Sequence, residues 1–160
     1  MQAEIQKGDI KLSESGGRIQ VDLVDKILFD SGQAVLSPRG QDVLLRIGSV
    51  LAKIDDRQLQ VSGHTDDSPP TDKIKEQFPT NWELSTARAV NVVRFLSEKG
   101  GVPQKRLMAA GHGQFMPVAT NANPEGRARN RRIEILLTPV IEGKAGQLHK
   151  EVAAVKKARK

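Results

Sequence analysis

Three polar side chains, Asp66, Asn81 and Arg88, have the types and the spacing to hold a charged small molecule. Asn81 and Arg88 are seven residues apart, or two helical turns, so a helix would place them on one stripe. Asp66 follows a predicted strand. A carboxylate can accept an ammonium group, and a guanidinium can bind a carboxylate with two parallel hydrogen bonds. The set predicts a clamp for a zwitterionic amino-acid head; the alternative is an Asp66–Arg88 ion pair that only joins a loop to a helix.

Other kinds of chemistry have weaker support in the sequence. His64, Asp66 and His112 are residue types that bind zinc or iron, but no HxH or HxxxH spacing accompanies them, so we expect no metal and no cofactor. A Gly-x-Ser-x-Gly elbow is absent, and the run Gly111-His-Gly lacks the third glycine of a dinucleotide site. The arginine cluster at 129–132 would either bind phosphate or order a loop by pairing with acids. We therefore expect a protein that is not an enzyme.

Helix and strand patterns indicate how these side chains are positioned. Thr80 followed by Glu83 is a capping box, so a helix should begin just after Thr80, with Trp82 and the later apolar residues on a stripe facing the core. Alternation and helical periodicity predict this order: strand 19–23, helix 37–54, strand 59–63, helix 81–99, strand 107–110 and strand 133–137. This βαβαββ order predicts an α/β (α+β) two-layer sandwich, with a mixed four-stranded sheet and two long helices on one face.

Composition and charge divide the chain into three parts. We interpret 1–17 as a polar lead-in, 18–139 as the domain and 140–160 as a basic tail, in which Leu148, Val152 and Val155 fit one face of a short helix. Residues 141–160 hold six Lys/Arg and two Asp/Glu, so most of the net charge of +6 lies in the tail. No nucleic acid is therefore expected at the domain itself, and binding of an anionic polymer or nucleic acid through the tail is the alternative function.

Two absences in the sequence limit the chemistry further. The chain has no cysteine, which excludes disulfides and thiolate metal sites. No stretch approaches the roughly 20 apolar residues of a membrane span, so we expect either a cytosolic protein or the soluble part of a longer chain.

Several motifs in one order resemble the peptidoglycan-binding domain shared by outer-membrane protein A, the peptidoglycan-associated lipoprotein and the flagellar stator protein MotB. The resemblance covers about residues 18–139. Its motifs are Ile27-Leu-Phe-Asp-Ser-Gly with Leu36, Gly63-His-Thr-Asp, Asn81-Trp-Glu-Leu-Ser-Thr-Ala-Arg-Ala, Gly101-Val-Pro with Arg106-Leu, Gly111-His-Gly-Gln with Pro117, and Asn123-Pro-Glu-Gly-Arg-Ala-Arg-Asn-Arg-Arg-Ile-Glu-Ile.

The resemblance implies a non-catalytic cell-wall anchor that binds the stem peptide of peptidoglycan, most often through its meso-diaminopimelate. It implies that Asp66 accepts the ligand ammonium, that Arg88 holds the carboxylate and that Asn81 adds a hydrogen bond. The remaining ligand contacts that it implies are Thr65 beside Asp66, Asn130 with Arg131 or Arg132 in the far wall, and Phe29 and Asp30 against sugar or peptide.

The resemblance also implies a place in the bacterial envelope. Such a domain lies in the periplasm, and its parent chain is tethered to a membrane through an N-terminal segment. The long insert at 67–79 is closer to MotB than to the lipoproteins, whereas the membrane helix with a proton-binding aspartate that a stator needs is not in this sequence. Homodimers or arrays would strengthen attachment to a polymeric wall by raising the effective concentration.

Overall fold

A computed structural model describes residues 2–139 and 143–159; the side chains of residue 2 and of 143–149 lie outside the described set. The regular elements are α1 (Gln2–Gln6), β1 (Ile10–Ser15), β2 (Arg18–Val24), α2 (Pro38–Leu51), β3 (Arg57–His64), α3 (Asp72–Lys75), α4 (Asn81–Glu98), β4 (Leu107–Gly111), α5 (Pro124–Asn130), β5 (Arg132–Pro139) and α6 (Gly143–Ala158), with 3-10 turns at Asp25–Ile27 and Gln104–Arg106.

The strands form one mixed sheet in the order β1-β2-β5-β3-β4, in which only β3 and β4 are parallel. The predicted α/β class and the predicted βαβαββ order of the central elements are confirmed. The strand count is corrected from four to five, because β1 lies in the segment interpreted as a lead-in. β1 forms a hairpin with β2 through Gly16 and Gly17, both at positive φ. Of the two apolar side chains of β1, Ile10 is buried in the core while Leu12 is 63% exposed.

One face of the sheet is aliphatic and carries the core. Val21 pairs with Ile135, which pairs with Val61, and this row continues the alternation that the sequence predicted for β2 and β5. Helices α2 and α4 bury their apolar stripes in the same cluster. On the inner side of α2, Val43, Leu44, Ile47 and Leu51 are buried, whereas Val50 is exposed.

Helix α4 lies directly on the parallel strand pair. Gly63 of β3 and Gly111 of β4 are neighbours in register. A Cβ atom on Gly63 would come within 3.0 Å of the carbonyl oxygen of Ser85, and one on Gly111 would meet Thr86 equally closely. The two glycines therefore permit a close approach of helix to sheet, which fixes the depth at which the polar residues of α4 sit.

The N-terminus of α4 has the predicted cap. Thr80 Oγ1 accepts a hydrogen bond from the amide of Trp82 at 3.1 Å, and the Thr80 amide donates to Glu83 Oε2 at 2.9 Å. The cap fixes Asn81 as the first helical residue. The orientation of the following turn thus follows from a local sequence signal.

The tail contains the predicted helix, α6. The side chains of Val152 and Val155 are exposed, and so are those of the nearby basic residues. The third residue of the predicted apolar face, Leu148, has a side chain outside the described residues. None of the helices in the described part of the chain has the length and apolar character needed to cross a membrane.

Candidate ligand-binding site

A cleft of about 440 Å³ opens where β3 ends, β5 begins and α4 starts. The loop at 67–79, which follows β3, forms one wall, and the segment after β2 forms the opposite wall. Five charged side chains line the cleft: Asp25, Lys26, Asp66, Arg88 and Arg131. The Lys26 side chain is largely exposed and pairs with Asp9, which is not part of the lining. The other four are two acids and two arginines that contact one another, so the cleft offers both acceptors and donors to a ligand that carries both signs.

Arg88 is almost completely buried on the second turn of α4. Its Nη1 donates to Asp25 Oδ2 at 3.0 Å, and its Nε donates to the carbonyl of Gln33 at 2.9 Å. The guanidinium carbon lies 4.8 Å from the centre of the Phe29 ring, within cation–π range. Burial lowers the pKa of Arg88, while the charge of Asp25 raises it. Nη2 has no hydrogen-bond partner among the described residues, so this atom is available to a ligand carboxylate.

Asp66 immediately follows Thr65 at the end of β3 and is also buried. Its Oδ2 accepts from Arg131 Nη1 at 2.7 Å, and its Oδ1 accepts from the amide of Ser68 at 2.9 Å. Thr65 Oγ1 donates to the Asp66 carbonyl at 2.8 Å, which fixes the backbone of the turn. Each carboxylate oxygen retains acceptor capacity for a further donor, so Asp66 can accept an ammonium group without losing Arg131.

Asp25 is a charged residue of the cleft that the sequence motifs did not indicate. It begins the 3-10 turn after β2, and its Oδ2 contacts both Arg88 Nη1 at 3.0 Å and Arg131 Nε at 3.7 Å. Burial raises the pKa of Asp25, against the opposing charges of Arg88 and Arg131. The four charges therefore form an alternating chain in the order Arg88, Asp25, Arg131 and Asp66.

This arrangement bears on the alternative that Arg88 only pairs with Asp66. In the structure Arg88 pairs with Asp25, and Asp66 pairs with Arg131. A signal for Asp25 exists in the strand pairing: its amide donates to the carbonyl of Arg131 at 2.9 Å, so the two residues are neighbours across the β2–β5 ladder. Opposite charges at such positions attract each other. Because β2 and β5 are far apart in the sequence, their pairing must be known before the attraction between Asp25 and Arg131 can be recognised.

Asn81 ties the cleft wall to the helix. Its Nδ2 donates to the carbonyl of Ser68 at 3.0 Å and to Gln114 Oε1 at 2.9 Å, and it lies 3.4 Å from the carbonyl of Asp66. These contacts hold the 67–79 loop against the start of α4. Asn81 therefore lines the cleft, as predicted, and also positions the turn that carries Asp66.

Three residues predicted for the site lie elsewhere. Asn130 is fully buried, and its side chain binds the backbone of Val118 and Ala119, so it holds the preceding loop in place. Arg132 points to the opposite face of the sheet from the core, where it pairs with Glu134. Asp30 is exposed and does not line the cleft. Thr65, Phe29 and Arg131 line it together with Asp66, Asn81 and Arg88.

The two Gly-His units lie side by side at the ends of the parallel strands. The rings of His64 and His112 are stacked, with centroids 4.7 Å apart. His64 Nε2 is 3.3 Å from Glu134 Oε2, and neither ring nitrogen of His64 makes a hydrogen bond among the described residues. Asp66 pairs with Arg131 and is separate from this cluster. Among the described residues no group of three or more His, Cys, Asp or Glu is arranged to hold a metal ion.

The prediction that Trp82 faces the core is wrong. The Trp82 side chain is 50% exposed and stacks on the ring of Phe115, with centroids 4.9 Å apart. The first turn of α4 extends beyond the edge of the core, so its apolar stripe is not covered there. Leu84, Ala89, Val92 and Leu96 are the buried apolar positions of the helix.

Comparison with known proteins agrees with the geometry. The model of the OmpA family matches residues 28–131. Motility protein B of Bacillus subtilis (strain 168) is 36% identical over 132 residues, which are 82% of this chain and 48% of that protein. Peptidoglycan-binding protein ArfA of Mycobacterium tuberculosis (strain CDC 1551 / Oshkosh) is 33% identical over 111 residues, which are 69% of this chain and 32% of ArfA. The chain thus spans half or less of these two relatives.

A solved structure shares the same fold. The cell wall anchor of the T6SS from Pseudomonas aeruginosa superposes with a TM-score of 0.78 at 35% sequence identity, covering 87% of this chain and 94% of that one. The similarity therefore extends over nearly all of both chains.

Proposed function

The chain belongs to the OmpA family, and on that premise we propose that its cleft binds the diaminopimelate-containing stem peptide of peptidoglycan and anchors a periplasmic envelope protein to the cell wall. The observation that carries the proposal is the pair of opposite charges at the cleft: Arg88, with a free Nη2, and Asp66, with remaining acceptor capacity. One head of diaminopimelate presents a carboxylate and an ammonium on a single carbon. The carboxylate of that head would bind Arg88, and its ammonium would bind Asp66.

Binding without catalysis fits the side chains of the cleft. Its serines, Ser31 and Ser68, make no hydrogen bond to a histidine in the described part of the chain. The acids of the cleft are held by arginines, so neither is placed as a proton-transfer group beside a nucleophile. Affinity for one stem peptide should be modest, because a few charge-assisted hydrogen bonds at an open cleft must offset the cost of ordering the ligand. Several copies on one wall would add avidity.

A pelleting assay with purified sacculi tests the proposal. We expect the parent protein to sediment with sacculi, and Asp66→Asn and Arg88→Lys to lose at least about tenfold in affinity. Arg88→Lys keeps the charge that Asp25 requires and removes the planar fork, so it separates ligand binding from folding. Arg94→Ala is the matched control, because Arg94 lies on the same helix with 66% of its side chain exposed. Sedimentation of both folded cleft variants at the level of the parent would refute the proposal.

Competition identifies the part of the wall that is bound. A muropeptide with diaminopimelate should displace the protein from sacculi. A muropeptide with lysine at that position should not, since the lysine side chain ends in an ammonium group with no carboxylate for Arg88. Equal competition by the two would show that the clamp does not read the zwitterionic head.

The alternative function, binding of an anionic polymer through the tail, rests on a specific observation as well. The basic residues Lys150, Lys156, Lys157 and Arg159 are exposed around α6. Deletion of 141–160 discriminates the two: it should leave sacculus binding within about twofold if the cleft is the site, and abolish it if the tail is.

A further inference from the structure

Asp25 occupies the position between the two arginines of the cleft, and neither the sequence motifs nor the charge clamp assigns it a role. Its side chain is largely buried, and the shared Oδ2 atom lies 3.0 Å from Arg88 Nη1 and 3.7 Å from Arg131 Nε. Its other oxygen, Oδ1, has no hydrogen-bond partner among the described residues. Asp25 lines the cleft, so Oδ1 is an acceptor available to a ligand.

The charge of Asp25 changes what the cleft attracts. With Asp25 ionised, two arginines and the exposed Lys26 face two carboxylates, and a ligand that brings only negative charge gains from Arg88 but is repelled by Asp25 and Asp66. Without it, two arginines and the exposed Lys26 face one carboxylate, and the cleft favours any anion. Repulsion between like charges within 4–6 Å is strong in a partly buried site, because little water screens it.

We propose that Asp25 is a specificity-determining residue, which makes the cleft select a zwitterionic amino-acid head and reject a simple carboxylate. In this arrangement the ligand carboxylate binds Arg88 Nη2, and the ligand ammonium is shared between Asp25 Oδ1 and Asp66. Arg131 contacts both acids, at 3.7 Å and 2.7 Å, and so holds the two acceptors at one side of the cleft. The inference rests on the proposed function and names the ligand feature that the cleft reads.

Meso-diaminopimelate and pimelate form a matched ligand pair for the test. Pimelate has the same seven-carbon chain and both carboxylates but lacks the two amino groups. The dissociation constants of both compounds are measured by calorimetry for the parent, Asp25→Asn and the control Asp42→Asn. Asp42 lies on α2 with an exposed side chain, so the control makes the same change in net charge away from the cleft.

We expect the parent and Asp42→Asn to bind diaminopimelate more tightly than pimelate. In Asp25→Asn the ratio of the two constants should fall by at least about tenfold, with pimelate binding more tightly than it does in the parent. Asp25→Ser carries the same expectation should the asparagine variant not fold, and Asp25→Glu should retain the selectivity of the parent.

The outcomes separate this inference from the proposed function. An unchanged ratio in the folded Asp25 variants, or an equal loss for both ligands, overturns the selective role and leaves wall binding by the parent intact. A parent that binds neither diaminopimelate nor sacculi overturns the proposed function and this inference together.

Discussion

Glu134 should stabilise the fold at neutral pH by an amount that disappears in acid. It lies on the polar face of the sheet, where Oε1 accepts hydrogen bonds from Arg132 Nε at 2.9 Å and contacts Nη2 at 2.8 Å. Oε2 lies 3.3 Å from His64 Nε2. Burial raises the pKa of Glu134, but the contacts with His64 and Arg132 outweigh burial and lower the pKa from 4.5 to about 2.

The lowered pKa sets both the sign and the size of the effect. A carboxyl group with a lower pKa in the folded state stabilises the fold above its unfolded pKa, and this contribution is lost as the pH falls through the folded pKa. The window here runs from 4.5 to about 2. The full shift corresponds to about 3 kcal/mol, and solvent screening of the partly exposed side chain reduces it to roughly 1–2 kcal/mol. Glu134→Gln should therefore lose that amount at pH 7.

Urea denaturation of the parent and of Glu134→Gln at pH 7, 5, 4 and 3 measures the effect. The difference in unfolding free energy should be constant down to about pH 5 and fall to roughly half or less at pH 3. Asp22, directly across the ladder from Glu134, provides a control of opposite sign. Burial raises its pKa, so ionisation of Asp22 opposes folding, and Asp22→Asn should be at least as stable as the parent at pH 7. A deficit for Glu134→Gln that is as large at pH 3 as at pH 7 would refute the electrostatic reasoning.

Three further predictions concern α4 and its neighbours, each measured by thermal and urea unfolding. Gly63→Ala places a methyl group against the α4 backbone and should lower the free energy of unfolding by at least about 2 kcal/mol. Gly48→Ala should lower it by less, because its Cβ contacts begin at 3.0 Å and alanine also favours the helix. Similar losses in the two variants would contradict the close packing of α4. Thr80→Ala removes the cap and should cost about 1 kcal/mol, with a smaller additional loss when Glu83→Ala is combined with it; full additivity would argue against a reciprocal capping box. Trp82→Ala should change stability by less than about 1 kcal/mol, since half of the side chain is exposed; a loss of 3 kcal/mol would show that Trp82 belongs to the core.

Local signals in the sequence located the elements that carry the site. The capping box predicted the start of α4 at the residue where it begins. Alternating apolar residues located β2 and β5. These signals work because each depends on residues within one or two turns or within a single strand.

The parts that could not be predicted depend on contacts between distant elements. Asp25 acquires its role only when β2 and β5 pair, and Trp82 is exposed because of where the core ends rather than because of its own stripe. The sequence alone could have predicted that only one of Arg131 and Arg132 lines the cleft. Because alternate residues of a strand face opposite sides, Arg132 must point away from the face on which Ile133 is buried.

The position of β5 governs the order in which the domain can be completed. β5 is the last strand among the described residues, yet it lies between β2 and β3 and pairs with both. During synthesis, β2 and β3 therefore have no sheet contact with each other until β5 joins them. Arg131 joins the cleft in the same step, because it directly precedes β5. Closing such long loops is slow and costs conformational entropy. A chain that stops before β5 would thus lack both a closed sheet and an assembled cleft, so folding and competence to bind are acquired in a single late step.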